Sequence, residues 1–306
     1  LLAIGWLGWT LAGESISWAE TMPYRDFTGI ERVLTQGRVQ FFYLSLLIWP
    51  APSRLNLDHA FTVSRSLLEP ATTLLAFVVI AVIVIMAIRS IRTRPNLAFP
   101  VLAYLLLHSI EAGPISLELV FEHRMYLPMT MIALLIGMNL RPTTRSQAVT
   151  SYAVLLVIAA LLTVSTYQRN EVWGDEMSFH RDVAQKSPWK FRPQYNLGTQ
   201  LGMRGDLDEA KAALEQAIRI WPDSSLAHNQ LGTVYLITGQ AGLAEQYYRL
   251  AIEYDPENAE ALFNLAGVLM TQGRYREQRE LLERFTQVAP PYLEEQKQWA
   301  LQQLGR

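Results

Sequence analysis

The chain has 306 residues, half of them hydrophobic and 18% charged, with a formal net charge of −2. No long basic run or base-stacking signature occurs in it, so the composition argues against a nucleic-acid partner. The absence of cysteine excludes a disulfide framework, a thiolate nucleophile and a cysteine-type zinc site, and leaves the redox compartment unread.

The first residues, LLAIGWLGWTLAG, are apolar but lack an initiator Met and a basic leader, so the expectation is a chain that begins inside a membrane helix rather than with a signal peptide. The amphipathic stretch from Ile30, IERVLTQGR, leads into apolar residues 39–50. Joined they are long enough to cross a bilayer; separately they are interfacial or re-entrant. Residues 71–88, ATTLLAFVVIAVIVIMAI, carry no charge, follow Pro70 and end at Arg89, which predicts a transmembrane helix; a buried helix of a soluble protein is the bland alternative. Residues 97–110 and 126–140 are shorter apolar runs, as for helices packed in a bundle or entering at a tilt, and residues 148–164 form a second clear span. Trp18, Trp49 and Trp173 fall where interfacial aromatics belong.

Charge sets the expected orientation. The first 167 residues hold eleven Arg, no Lys and nine acids, whereas the remainder holds fifteen basic and nineteen acidic residues. The short loops with Arg89, Arg92 and Arg94, and with Arg141 and Arg145, are basic and acid-free, which places both on the cytoplasmic side. The loop with Glu118, Glu122 and Arg124, the loop over residues 56–69 and everything beyond Tyr167 then lie outside.

Beyond that point the sequence repeats every 34 residues. Leu197, Leu231 and Leu265 align; so do Gly198, Gly232 and Ala266, then Gly205, Gly239 and Gly273, then Pro222, Pro256 and Pro290. This is the period of the tetratricopeptide (TPR) helix-turn-helix unit. The small residue after each Leu admits a close helix approach, the later Gly supplies the turn, and the Pro ends the unit. Ala210 and Ala244, then Ala217 and Ala251, are small packing positions on the second helix, where the third repeat carries Gln278 and Phe285 instead. One period before Pro222 stands Pro188, so WGDEMSFHRDVAQKSP reads as the second helix of a degenerate leading repeat, and YLEEQKQWALQQL as a solvating cap.

WPAPSRLNLDH, SRSLLEP before one span and ELVFEHRMYLP before another, followed by TPR repeats, resemble the C-terminal membrane portion of bacterial proteins related to the transmembrane-and-TPR O-mannosyltransferases. These are a branch of the GT-C class of polyprenyl-phosphate-sugar glycosyltransferases. The resemblance covers essentially the whole chain. It implies a lipid-linked sugar donor, an acceptor hydroxyl on a protein and an extracytoplasmic active site. In that class the acidic motif that activates the acceptor or binds a metal lies in the first extracytoplasmic loop, upstream of this sequence, so the catalytic residue is unknown. No metal ligand or cofactor is identified here; a divalent metal belongs to the intact parent enzyme if to anything.

Glu122, His123, Arg124 and Tyr126 form the most suggestive cluster: Arg124 is placed to hold the phosphate of a lipid carrier, with Tyr126 adding a donor and Glu122 orienting the Arg. The bland alternative is loop ions or a pair that assembles the bundle. Asp58 and His59 share the expected face, as do Arg54 and Arg65, although a loop between spans is expected to be polar anyway. His108 and Glu111 are three apart on a short apolar helix, either a buried pair or simply near its end. Asn196, Gln230 and Asn264 occupy one position on successive first helices of the repeats, where carboxamides suit the backbone of an extended peptide or bond within the stack. Tyr235, Tyr247, Tyr248 and Tyr254 read as core.

The expected architecture is all-α: a multi-pass transmembrane bundle of five or six helices over residues 1–167, then an extracytoplasmic TPR α-solenoid over residues 168–306 with about three and a half repeats and a cap. The expected function is a glycosyltransferase module of the bacterial inner membrane whose partners are the lipid bilayer, a polyprenyl-phosphate-linked sugar and a protein or peptide in the repeat groove. The alternative is a non-catalytic membrane-anchored scaffold for envelope or pilus assembly.

Overall fold

The computed structural model describes residues 27–111, 118–140 and 142–305, with the side chains of Ile110, Glu111 and His123 excepted. Expectations for Trp18, Glu111, the His123 side chain, Arg141 and the N-terminal apolar run therefore lie outside the described residues. Among those described, the chain is all-helical, with thirteen α-helices and no strand. It divides into two compact units at Gly174/Asp175.

In the first unit the helices are α1 (Gly29–Ile48), α2 (Thr72–Ser90), α3 (Pro95–Glu111), α4 (Tyr126–Asn139) and α5 (Arg145–Gly174). The amphipathic stretch and the apolar run after it are one continuous helix, α1, started by a reciprocal capping box between Thr28 and Glu31. Its buried residues include a polar row, Arg32, Gln36 and Gln40, spaced four apart, beside the apolar Val39 and Leu46. Neighbouring helices α1 to α4 pack pairwise around Val39, Tyr43, Leu46, Tyr104, Val120 and Met125. Helices α2 and α5 are long and apolar enough to cross a membrane, and their apolar windows are 17% and 0% buried. Among the residues of α5, Arg169 is the one that is buried.

The second unit contains α6 (Glu176–Lys186), α7 (Phe191–Arg204), α8 (Leu207–Ile220), α9 (Ser225–Ile237), α10 (Ala241–Tyr254), α11 (Ala259–Thr271), α12 (Tyr275–Val288) and α13 (Glu294–Leu304). Helices α7/α8, α9/α10 and α11/α12 are the three repeat hairpins. Each first helix ends on a left-handed glycine, Gly205, Gly239 and Gly273 at φ +86, +77 and +73. The residue after each glycine donates its N–H back to Leu201, Tyr235 and Leu269 respectively, the paired closure of a Schellman turn. Ideal Cβ atoms built on Gly198 and Gly232 would lie 2.7 Å from Leu214 and 2.8 Å from Tyr248, which is why the sequence holds these positions small.

Ala210, Ala217, Ala244 and Ala251 are wholly buried. In the third repeat Phe285 fills the equivalent space and packs against Phe263, which in turn meets Trp299 of α13, so the altered positions are where the cap docks. A periodic feature not anticipated from sequence joins the repeats. Ser224 and Asn258, one period apart, cap α9 and α11, and Asn258 also donates to Ser225, which donates to the carbonyl of Ala251.

Candidate functional site

The loop before α4 is held in place by α1. Gln36 donates to the carbonyl of Leu119 (2.9 Å), while the Tyr43 hydroxyl donates to the carbonyl of Phe121 (3.0 Å) and accepts from its N–H (2.8 Å). Polar residues on the buried face of α1 thus satisfy backbone groups that no helix supplies. The next residue, Glu122, opens a short 3-10 turn over Glu122–Met125.

Glu122 is where two distant loops meet. Its Oε1 lies 3.0 Å from Nε2 of His59 and accepts the backbone N–H of Asn56. Asn56 donates its side-chain amide to the carbonyl of Asp58 (3.1 Å), and Asn56 and Asp58 are both buried. His59 is further fixed by Phe42, whose ring stands edge-on to the imidazole with centroids 5.1 Å apart.

Glu122 and Asn56 line a cleft of about 300 Å³ closed on one side by the C-terminal half of α5. Tyr126 and Phe121 belong to its wall, and α5 contributes Leu162, Ser165, Arg169, Asn170 and Trp173. The guanidinium of Arg169 sits over the Trp173 ring, 5.5 Å from its centroid. The cleft therefore carries an anchored carboxylate, a buried cation, amide and hydroxyl donors, and an apolar floor.

Of the residues expected at a site, Glu122, His59, Asp58 and Tyr126 are brought together. Arg124 departs from the expectation that Glu122 orients it: Arg124 donates to the carbonyl of Glu118 (2.9 Å) and lies over the ring of Phe121 at 4.6 Å. In a 3-10 turn, residues two apart point roughly 240° apart, so Glu122 and Arg124 face different neighbours. Arg54 is spent on Ser45 and the carbonyl of Trp49, and Arg65 pairs with Glu31. His108 packs against Tyr43 and Tyr104. Among the described residues no group of three His, Asp or Glu gathers to hold a metal ion, so no step is assigned to one. Arg169 escaped notice in the sequence because it follows an apolar run, where an Arg reads as a boundary marker.

On the repeats, Asn196, Gln230 and Asn264 are all half-buried on successive first helices. Asn264 donates to Asn229 (3.0 Å), Asn229 donates to Glu260 (3.3 Å), and Tyr292 donates to the same carboxylate (3.2 Å). Asn264 and Gln230, the latter hydrogen-bonded to Tyr195, are thus engaged within the stack. Gln230 lies beside Tyr195, whose phenol burial holds above its usual pKa. Glu260 and Tyr292 are further polar groups on this face that the period-34 columns do not single out.

Tetratricopeptide repeat family models match residues 195–253 and 235–303. The chain is similar to the protein O-mannosyl-transferase Tmtc2 of Drosophila melanogaster, 34% identical over 115 residues, or 36% of this chain and 12% of that protein. It is also similar to Tmtc3 of the same organism, 27% identical over 239 residues, or 71% of this chain and 25% of that protein. The type IV pilus assembly protein PilF of Pseudomonas aeruginosa is 39% identical over 82 residues, 26% of this chain and 32% of that protein. The chain spans at most about a third of these relatives. Residues 195–303 are tetratricopeptide repeats, and the chain is similar in sequence to the Tmtc2 and Tmtc3 O-mannosyl-transferases.

Proposed function

We propose that this chain is a membrane glycosyltransferase module that passes a sugar from a polyprenyl-phosphate carrier to a protein hydroxyl, with the TPR repeats recruiting the acceptor. The observation that carries this reading is the similarity to Tmtc3, which covers 71% of the chain, more than residues 175–306 can supply. The similarity therefore reaches into the unit that holds the cleft lined by Glu122 and Asn56. That unit also contains two helices of membrane-crossing length and composition, one of them 0% buried over its apolar window. In this reading α1 to α5 form a multi-pass bundle in the bacterial inner membrane, and the Arg89, Arg92 and Arg94 loop keeps its side cytoplasmic. The cleft and the repeats then share the outer face.

Two measurements test it. A reporter fused after Arg306 should behave as extracytoplasmic, and strong activity of a cytoplasmic reporter there overturns the topology. Membranes carrying the full-length protein should transfer labelled sugar from a polyprenyl-phosphate donor to protein, and Glu122→Gln should lower that transfer at least tenfold while leaving membrane insertion intact. The second reading is a non-catalytic scaffold, favoured by the 39% identity to PilF and by 38% identity over 81 residues to the cellulose synthase operon protein C of Xanthomonas axonopodis. Partner capture that persists unchanged in Glu122→Gln, with no sugar transfer by the wild type, selects the scaffold.

A further inference from the structure

One face shared by the first helices of the repeats gathers a carboxylate, two phenols and a row of carboxamides. The carboxylate is Glu260 of α11, and its two oxygens are held separately. Oε2 accepts from the Asn229 amide of α9 (3.3 Å), and Oε1 accepts from the hydroxyl of Tyr292, which follows α12 (3.2 Å). Asn264 donates to the Asn229 side-chain oxygen (3.0 Å) and so keeps the Asn229 amide turned to Glu260. Tyr195 of α7 reaches the same space: burial and then the Glu260 charge raise its phenol pKa, and Gln230 bonds to its hydroxyl. The Tyr292 phenol is raised by burial, then by Glu260 and by Tyr195, so the carboxylate and both phenols are mutual neighbours.

The groups that hold Glu260 are neutral. Asn229 and Tyr292 each take one acceptor position on an oxygen that has two, and among the described residues Glu260 has no ion-pair partner. Glu245 of α10 shows the contrast, since Arg249 and Arg274 compensate it at 2.9 and 2.7 Å. Glu260 is thus half-buried, fixed in direction and uncompensated, beside a Tyr292 ring that is 71% exposed. A cation gains there from the carboxylate and from the negative face of the ring, whereas an anion is repelled.

Further along the same helices the face turns apolar. Met203, Ile237, Leu236 and Met270 are 77%, 59%, 40% and 37% exposed. Met203 and Ile237 stand one repeat period apart, as do Leu236 and Met270, so the row crosses all three repeats. Asn229, Thr233 and Ile237 follow at four-residue spacing, which puts this row on the face that carries the carboxylate.

We infer that this face selects extended protein segments in which a lysine or arginine stands next to an apolar residue. The cation sits on Glu260 beside Tyr195 and Tyr292, and the apolar side chain sits on the row of Met203, Ile237, Leu236 and Met270. Successive side chains of an extended chain point to opposite sides, so a segment laid across the three helices between the two rows turns one side chain to each. Methionines in the row adapt to apolar side chains of different shape. The inference rests on the reading that the repeats recruit a protein and adds the chemistry by which they choose it; it does not depend on sugar transfer.

The test is selection of random-sequence peptides displayed on phage against the full-length protein in detergent, followed by fluorescence polarisation of the selected peptides. These should be enriched in Lys or Arg beside an apolar residue, and glutamine in place of the cation should weaken binding about tenfold. Glu260→Gln still accepts from Asn229 and Tyr292 but carries no charge, so it should melt like wild type and lose the preference for a cation. Glu260→Lys should turn the preference to acidic peptides. Glu280→Gln makes the same charge change at an exposed site on α12 and should leave the preference intact. No enrichment, enrichment of acidic or uncharged peptides, or a cation preference that survives Glu260→Gln or is lost equally in Glu280→Gln overturns the proposal. Binding of the selected peptides that is unchanged in Ile237→Ser overturns the apolar row. Selection of basic–apolar peptides by a protein that transfers no sugar supports the inference and overturns the transfer reading alone, and sugar transfer without cation preference does the reverse.

Discussion

The Tyr43 hydroxyl both donates to the carbonyl and accepts from the N–H of Phe121, clamping the backbone immediately before Glu122. Tyr104, on the facing helix α3, is as deeply buried, yet its hydroxyl has no hydrogen-bond partner among the described residues. The two phenols therefore give opposite expectations. Tyr43→Phe strands two backbone groups and should cost about 1–3 kcal/mol, whereas Tyr104→Phe should be neutral or slightly stabilising. Thermal melting of the detergent-solubilised protein decides it: equal losses in both variants would show that the clamp contributes nothing.

Close packing between the two helices of a repeat makes a similar paired expectation. An added methyl at Gly232 would press on the wholly buried ring of Tyr248, so Gly232→Ala should cost about 1–3 kcal/mol through overpacking. At Gly267, inside α11, nothing lies within 4 Å of the added Cβ, so Gly267→Ala should stabilise by about 0.5–1 kcal/mol through helix propensity. Urea denaturation of the repeat unit reads both, and a destabilising Gly267→Ala would contradict the packing described.

How much of this was legible follows from the range over which each feature is encoded. The turn glycines at 205, 239 and 273, the small residues at 198 and 232, and the prolines after each hairpin are local rules repeated three times, and a period exposes them. The site has no such echo. Glu122 and His59 are 63 residues apart and meet because Gln36 and Tyr43, on a third segment, fix the intervening loop. Sequence proximity suggested Glu122 with Arg124, but a 3-10 turn aims them apart. Arg169 became visible once α5 was seen to bury that residue and to leave its apolar run exposed.

Asn258 does two jobs at a junction between repeats. Its Oδ1 accepts the N–H of Ala261 (2.9 Å) at the start of α11, and its Nδ2 donates to Ser225 (2.7 Å) on α9. Asn258→Ala should lose both and cost about 1–2 kcal/mol. Asn258→Ser keeps a capping oxygen without the reach to Ser225 and should cost less. A urea midpoint for Asn258→Ser equal to that of wild type would show that the bond to Ser225 contributes nothing and sink the claim that Asn258 links the repeats.

Acid should loosen the second half of the solenoid. Burial works to raise the Glu245 pKa, but hydrogen bonds from Arg274, Arg249 and Gln272 outweigh it and hold the carboxylate below its ordinary value of 4.5. Glu277 is lowered as well, by the same two arginines. A carboxylate with a depressed folded-state pKa contributes stability that is complete above its unfolded value and disappears as pH falls through the folded one. Arg249 and Arg274 are 46% and 37% exposed at their side chains, so solvent screening limits the Glu245 contribution to about 0.5–1 kcal/mol. Glu245→Gln should therefore lower the melting temperature of the repeat unit at pH 7, and less so in 1 M salt, while wild type and variant converge as the pH falls below 4. A difference that persists unchanged at pH 3 would mean that Glu245 acts through packing rather than through its charge.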